Sequence, residues 1–202
     1  MKALALDRSM PTGTTVNIDR DTEDRELIGE IVADANIASF ERLYQVYRYR
    51  LGPFMHRFIK DLSVHEEAFN DVMMTVWRKA PTYNGTSKVS TWIYSIAYRH
   101  CLKALNRTRD IPVEADEQSL PAPDERASIE RREVIDKALL QLSAEHRLVI
   151  ELSYFAGHSY REIGEIADCP ENTVKTRIYH ARRKLKDLMM SLGETNAEEL
   201  NT

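Results

Sequence analysis

The side chains best placed for surface chemistry lie together near the end of the chain. In the stretch HSYREIGEIADCPENTVKTRIYHARRKLK (158–186), six Lys/Arg fall within 171–186 against one acid, although the net charge of the protein is −4. Amides, hydroxyls and cations at helical spacing suit hydrogen bonding to base edges and ion pairing with phosphates. They do not suit covalent catalysis. His56, His65, His100 and His158 fall into no metal or triad spacing, and there is no Gly-rich phosphate loop. Adjacent His100 and Cys101 cannot both face one site on a helix, and Cys101 reads as a small buried residue. The sequence therefore points to a binding protein rather than an enzyme, with no cofactor and no metal.

Three elements must position those side chains. Residues 144–156 predict a helix with Leu148, Leu152 and Phe155 on its inner side, ended by Gly157. Ser159 and Glu162 form a capping-box signature for a short helix over 159–168, with Ile163, Ile166 and Ala167 facing inward. A tight turn at Cys169-Pro170 leads to a third helix starting between 170 and 173. Along it Val174, Ile178, Ala181, Leu185 and Leu188 step by three and four, as a core-facing stripe does. Asn172, Thr176, Tyr179 and Arg183 lie opposite, flanked by Lys175, His180 and Lys186. This is a helix-turn-helix whose last helix is shaped to enter a major groove. Its DNA-contact set is Asn172, Thr173, Lys175, Thr176, Arg177, Tyr179, His180 and Arg183. Tyr160 and Arg161, at the start of the preceding helix, are placed to meet a phosphate.

The remainder of the 202-residue chain also reads as helix. Phe40, Leu43, Tyr44, Tyr47 and Leu51 recur at three- and four-residue steps. Ser63 and Glu66 form a second capping-box signature, opening a helix with Ala68, Phe69, Val72, Val76 and Trp77 that ends before Pro81. After the loop TYNGTSKVS, Ser90 is expected to cap a helix carrying Trp92, Ile93, Ile96, Ala97, Cys101, Leu102 and Leu105, with Trp92 and Ile96 in the core. Charge is segregated into blocks: 19–34 with seven acids and two bases, 99–109 with four bases, and 110–125 with six acids and no base. Such blocks read as separate surfaces with separate partners. The expected organisation is a flexible tail over 1–21, a helical domain over 22–107, an acidic flexible linker over 108–128, a second helical domain over 129–192 and a polar tail over 193–202. The fold class is all-α, with two small helical domains. No apolar run approaches the roughly 20 residues of a membrane span. The start MKALALDRSM is not a signal peptide, and two isolated cysteines fit a reducing cytoplasm.

Together the halves resemble the sigma-70 family of bacterial transcription initiation factors, and within it the two-domain extracytoplasmic-function (ECF) group. The similar segments are FERLYQVYRYRLGPFMHRFI (region 2.1), HEEAFNDVMMTVWRKA (2.2), VSTWIYSIAYRHCLKALNR (2.3–2.4) and SYREIGEIADCPENTVKTRIYHARRKLK (region 4). The resemblance implies no enzymatic activity but a subunit of bacterial RNA polymerase that recognises promoter −10 and −35 elements. It implies core-polymerase binding through Glu66, Glu67, Asn70, Asp71 and Trp77. Here the sequence departs from the family pattern, with Ser63 where an acid is frequent and Asn70-Asp71 where Gln-Glu is common. The resemblance further implies that Tyr83, Asn84, Thr86, Ser87 and Lys88 receive a base flipped from the non-template strand. Tyr94, Tyr98, Arg99, Lys103 and Arg107 would line a groove along that strand. The acidic linker resembles the segment that relatives thread through the polymerase cleft and RNA exit channel. An inhibitory anti-sigma factor is a further partner that the family implies. The competing reading is a stand-alone helix-turn-helix regulator, which calls for a dimerisation or ligand domain and half-site symmetry in its DNA.

Overall fold

The computed structural model describes residues 14–108 and 134–199, and every regular element among them is helical. The first bundle consists of α1 (Thr14–Asp34), α2 (Ile37–His56), α3 (Leu62–Lys79) and α4 (Val89–Thr108). A 3-10 turn, Ala80–Thr82, follows α3. The second group consists of α5 (within 134–140), α6 (Ala144–Ile150), α7 (Tyr160–Ala167) and α8 (Glu171–Glu199). A π-turn, Glu151–Phe155, continues α6.

The α2 periodicity behaves as expected. Leu43, Tyr47 and Leu51 are fully buried, while Phe40 and Tyr44 flank the core. Phe40 meets the Trp77 ring edge-on at 5.0 Å and Tyr44 meets Phe69 at 5.1 Å, joining α2 to α3. One polar knot lies inside this bundle. Asp24 of α1 is 2% exposed and accepts from the Tyr47 hydroxyl and from Arg50, each at 2.7 Å. Burial, together with the Asp24 charge, pushes the Tyr47 phenol well above its usual pKa. A buried carboxylate is tolerated because both its partners come with it.

Several local expectations need correction. The tail expected over 1–21 is partly structured, since α1 begins at Thr14. Likewise α8 runs to Glu199, through most of the segment expected as a C-terminal tail. Ser63 is not the cap of α3. Asp61 lies two residues earlier and accepts from the Val64 N–H at 2.9 Å, so Ser63 falls inside the first turn. Ser90 does not cap α4 either, because that helix begins at Val89 and the Val89 N–H is taken by Asp21 of α1 at 2.8 Å. Phe155 is not core but 59% exposed, since the π-turn rotates it away from the Leu148–Leu152 line. The expected acidic linker lies largely outside the described residues.

The two helical groups pack together through α4 and α7. The Tyr94 and His158 rings meet edge-on at 4.8 Å. Lys88 pairs with Glu162 at 2.7 Å. Arg147, only 8% exposed, donates to the carbonyls of Leu139 (2.9 Å), Leu140 (2.7 Å) and Leu142 (3.2 Å) at the end of α5. It also donates to Arg57 O just after α2, at 2.6 Å. One guanidinium thus donates to carbonyls at two helix ends, sharing that of Leu139 with the Leu142 N–H.

Candidate nucleic-acid interface

The helix-turn-helix forms as the sequence requires. Ser159 caps α7: its Oγ accepts from the Glu162 N–H at 3.3 Å, and Glu162 accepts from the Ser159 N–H at 2.7 Å. The helix ends at Asp168, in the left-handed region at φ 51°, with the Cys169 N–H returning to Gly164 O at 3.0 Å. Gly164 is obligatory at this turn. A Cβ there would lie 2.7 Å from the Cys169 carbonyl oxygen. The Pro170 carbonyl then accepts from the Thr173 and Val174 N–H groups as α8 begins.

The two faces of α8 separate as predicted. Val174, Ile178 and Ala181 are buried, with Leu185 and Leu188 half-buried against the core. Asn172, Lys175, Thr176, Tyr179, His180 and Arg183 are all exposed on the other side. Tyr179 is 64% exposed and meets His180 edge-on at 5.3 Å. Arg161 is exposed at the start of α7, and Tyr160 is half-buried. Arg177 departs from this set. It turns back toward the turn, with Nη1 3.6 Å from Cys169 Sγ and Nη2 3.9 Å from Glu145. Thr173 is half-buried.

The second candidate surface is the 83–88 loop and α4. Asn84 and Thr86 are exposed at the loop tip, where Asn84 Oδ1 accepts from the Thr86 N–H and hydroxyl. Gly85 turns the loop at φ +72°. Tyr83 packs on Trp92 at 5.2 Å and donates its hydroxyl to Ser87 O at 2.6 Å. Trp92 is half-buried against the core and Ile96 is buried. Arg99, Lys103 and Arg107 form an exposed line along α4. Tyr94 and Tyr98 do not join them. They are 5% and 7% exposed, pack on Phe54 and Phe58, and burial raises both phenols to about 12. On a helix, residues 94 and 98 share the face opposite to the one that 99, 103 and 107 present. Lys88 is held by Glu162 and is not free in this arrangement.

The acidic face of α3 is the third surface. Glu66, Glu67, Asn70 and Asp71 are exposed, with Trp77 half-buried beside Phe40. Glu66 pairs with Arg48 at 2.9 Å, and Asn70 accepts from the Tyr44 hydroxyl at 2.8 Å. Among the described residues no cluster of His, Cys, Asp or Glu could hold a metal ion, and no helix is long and apolar enough to cross a membrane. Cys101 is buried and its thiol is driven up by desolvation, as befits a packing residue.

Sequence reasoning missed the residues that join these surfaces. Glu151 is 3% exposed, beside Arg57 at 3.3 Å, and burial lifts its carboxyl to about 7 against the pull of Arg57, Arg147 and Lys60. His158 sits in the same interface, and burial drives its imidazole well below the usual value despite Glu162 nearby. Asp21 and Arg25 stand behind the 83–88 loop. Only the acidic block 19–34 marked that segment, with no sign of where it packs.

Sequence models of two families match the chain: Sigma-70 region 2 over residues 43–111 and Sigma-70, region 4 over residues 132–185. The ECF RNA polymerase sigma factor SigL of Mycobacterium tuberculosis is 29% identical over 169 residues, covering 81% of this chain and 96% of that protein. The RNA polymerase sigma-H factor of Pseudomonas aeruginosa is 25% identical over 185 residues, covering 84% and 95%. Among solved structures, CnrH in complex with the cytosolic domain of CnrY aligns with TM-score 0.65 at 18% identity, over 84% of this chain and 98% of that one. The sigma factor RpoE of Bartonella quintana, solved with the anti-sigma factor NepR, aligns with TM-score 0.62 at 23% identity, over 76% and 98%. Those two likenesses are of fold. The order of the two matched regions, the helix-turn-helix geometry and the full-length relatives define a sigma-70 family protein, and the chain belongs to that family. Within it, the chain is a member of the ECF group.

Proposed function

We propose that this chain binds bacterial RNA polymerase core and directs promoter-specific initiation, reading the −35 element with α8 and the −10 element with the 83–88 loop and α4. The observation that carries this reading is the outward face of α8. Asn172, Lys175, Thr176, Tyr179, His180 and Arg183 stand in solvent while the opposite stripe is buried. Base edges need such short polar and forked cationic groups. Among the described residues their only side-chain bonds are local ones on α8 itself, Lys175 to Glu171 at 2.8 Å and the Thr176 hydroxyl to Asn172 O at 3.0 Å, and these leave the side chains in solvent. Asn84 and Thr86 offer hydrogen-bonding groups to an extruded base, with Tyr83 and Trp92 behind them. Once the base is out of the stack, Arg99, Lys103 and Arg107 track the melted strand. The acidic face of α3 is the polymerase contact, and the protein does its work in the cytoplasm. A net charge of −4 opposes DNA binding by the free chain, so cations are concentrated where DNA contacts them. Lys88 joins the −10 surface only after its pair with Glu162 opens. An anti-sigma factor is an expected inhibitor, as one neighbour in fold, RpoE, was solved with the anti-sigma factor NepR.

Run-off transcription on sheared host DNA tests this reading, using purified core polymerase free of other sigma factors. Discrete transcripts that require both the core and this chain are expected. No transcripts, with DNA binding by the chain alone, would favour the stand-alone regulator.

A further inference from the structure

We infer that Asp21 and Arg25 of α1 are positioning residues that hold the 83–88 loop in a preformed, base-receiving shape. The inference rests on the proposed −10 role of that loop and adds residues far from it in sequence. Arg25 Nη1 donates to Gly85 O at 3.2 Å and Nη2 to Ser87 O at 3.0 Å, across 60 and 62 residues of chain. Its guanidinium also lies over the Tyr83 ring, 5.7 Å from the centroid. Asp21, one helical turn earlier, fixes the arginine through Nε at 2.8 Å. With its other oxygen Asp21 accepts from the Val89 N–H at 2.8 Å, where the loop becomes α4. The clamp therefore grips main-chain groups at three points of the loop and leaves the Asn84 and Thr86 side chains exposed.

The loop has adapted to this grip. Gly85 sits at φ +72°, and a Cβ on it would come within 3.2 Å of Arg25 Nη1. Glycine is favoured there both by backbone conformation and by the approach of the arginine. A fork of donors on one rigid plane is what two carbonyls two residues apart require, and a lysine offers only a point charge. Arg25 contacts the loop from behind, so it orders the reader without touching the base. A loop that is already ordered loses less freedom when a base enters it.

Two measurements separate the clamp from the reading on which it rests. Amide hydrogen exchange of the full chain should show residues 84–89 exchanging faster in Arg25→Ala than in the wild type, with α8 unchanged. Equal exchange in that loop would overturn the clamp whatever the loop binds. In holoenzyme made with purified core polymerase, a promoter library randomised at the −10 element should show Arg25→Ala losing base discrimination by about tenfold, the effect of one charge-assisted hydrogen bond. Core binding and −35 preference should hold, and Arg25→Lys should recover only part. Gly85→Ala, which leaves α1 intact, should reproduce the defect. A uniform loss over all −10 sequences, fully rescued by lysine, would make Arg25 a phosphate contact and overturn the inference. If Asn84→Ala also leaves −10 discrimination intact, the −10 reading of the loop has failed, and the exchange result alone then reports on the clamp.

Discussion

The two surfaces proposed to meet DNA are built in opposite ways. The α8 surface is one face of one helix, and its geometry follows from the spacing of Val174, Ile178 and Ala181 on the other face. The 83–88 surface is a loop, and what orders it comes from α1, some sixty residues earlier: Arg25 on Gly85 and Ser87, Asp21 on Val89. A helix satisfies its own backbone, so its side chains are presented wherever the core stripe docks. A loop must borrow partners for its carbonyls and N–H groups, and a remote element can supply them. The difference predicts where each reader is vulnerable. The first fails through its docking and its turn, the second through its clamp.

The largest effect should come from Gly164→Ala. The added Cβ, 2.7 Å from the Cys169 carbonyl, forces the turn between α7 and α8 to shift. A loss of about 1–3 kcal/mol is expected, as for other overpacked sites, with −35 reading lost before −10 reading. Chemical denaturation and a promoter-library assay measure the two parts.

Next comes the contact where the two readers meet. Glu151 has its pKa raised to about 7, so its penalty grows as pH rises from the unfolded value near 4.5. His158 is depressed, so its penalty grows as pH falls below the unfolded value of about 6.5. Between these values the two slopes oppose, each at most about 1.4 kcal/mol per pH unit. Acidification from pH 7 to 5 should therefore destabilise Glu151→Gln relative to the wild type and stabilise His158→Phe relative to it. Urea midpoints across that range would show it, and identical pH profiles would refute the assignment.

Ser159→Ala removes one half of the capping box of α7 and should cost about 1 kcal/mol, read in the same melts. The smallest effect should be that of Tyr98→Phe on promoter choice. The ring is buried against Phe58, so −10 base preference should not change, whereas Asn84→Ala should weaken it.

What the sequence disclosed follows the same division. The helix-turn-helix was legible residue by residue because caps, the turn proline and the core stripe are all local signals. The Ser159–Glu162 box, the start of α8 and the exposure of Arg183 stand as read. Tyr94 and Tyr98 were misplaced because helical spacing alone does not say which face meets the rest of the bundle, and Phe54 and Phe58 decide it. Ser63 and Ser90 are not caps because both helices start before them, with Asp61 accepting from the Val64 N–H and the distant Asp21 from the Val89 N–H. Helical spacing puts Arg177 with the outward set, but its guanidinium turns back to Cys169 and Glu145, which that spacing does not encode. Asp21, Arg25, Glu151 and Arg147 act through long-range contacts that no periodicity encodes.

The central claim is that one chain carries two independent promoter readers. The most direct measurement is selection from a library randomised at both −35 and −10 elements, with holoenzymes containing the wild type, Arg183→Ala or Asn84→Ala. The account predicts that Arg183→Ala flattens base preference at −35 alone and Asn84→Ala at −10 alone. A good bidentate base contact is worth about 1–3 kcal/mol of discrimination, so the first loss should be roughly tenfold or more. Unchanged preferences in both variants, or a shared uniform loss, would contradict it.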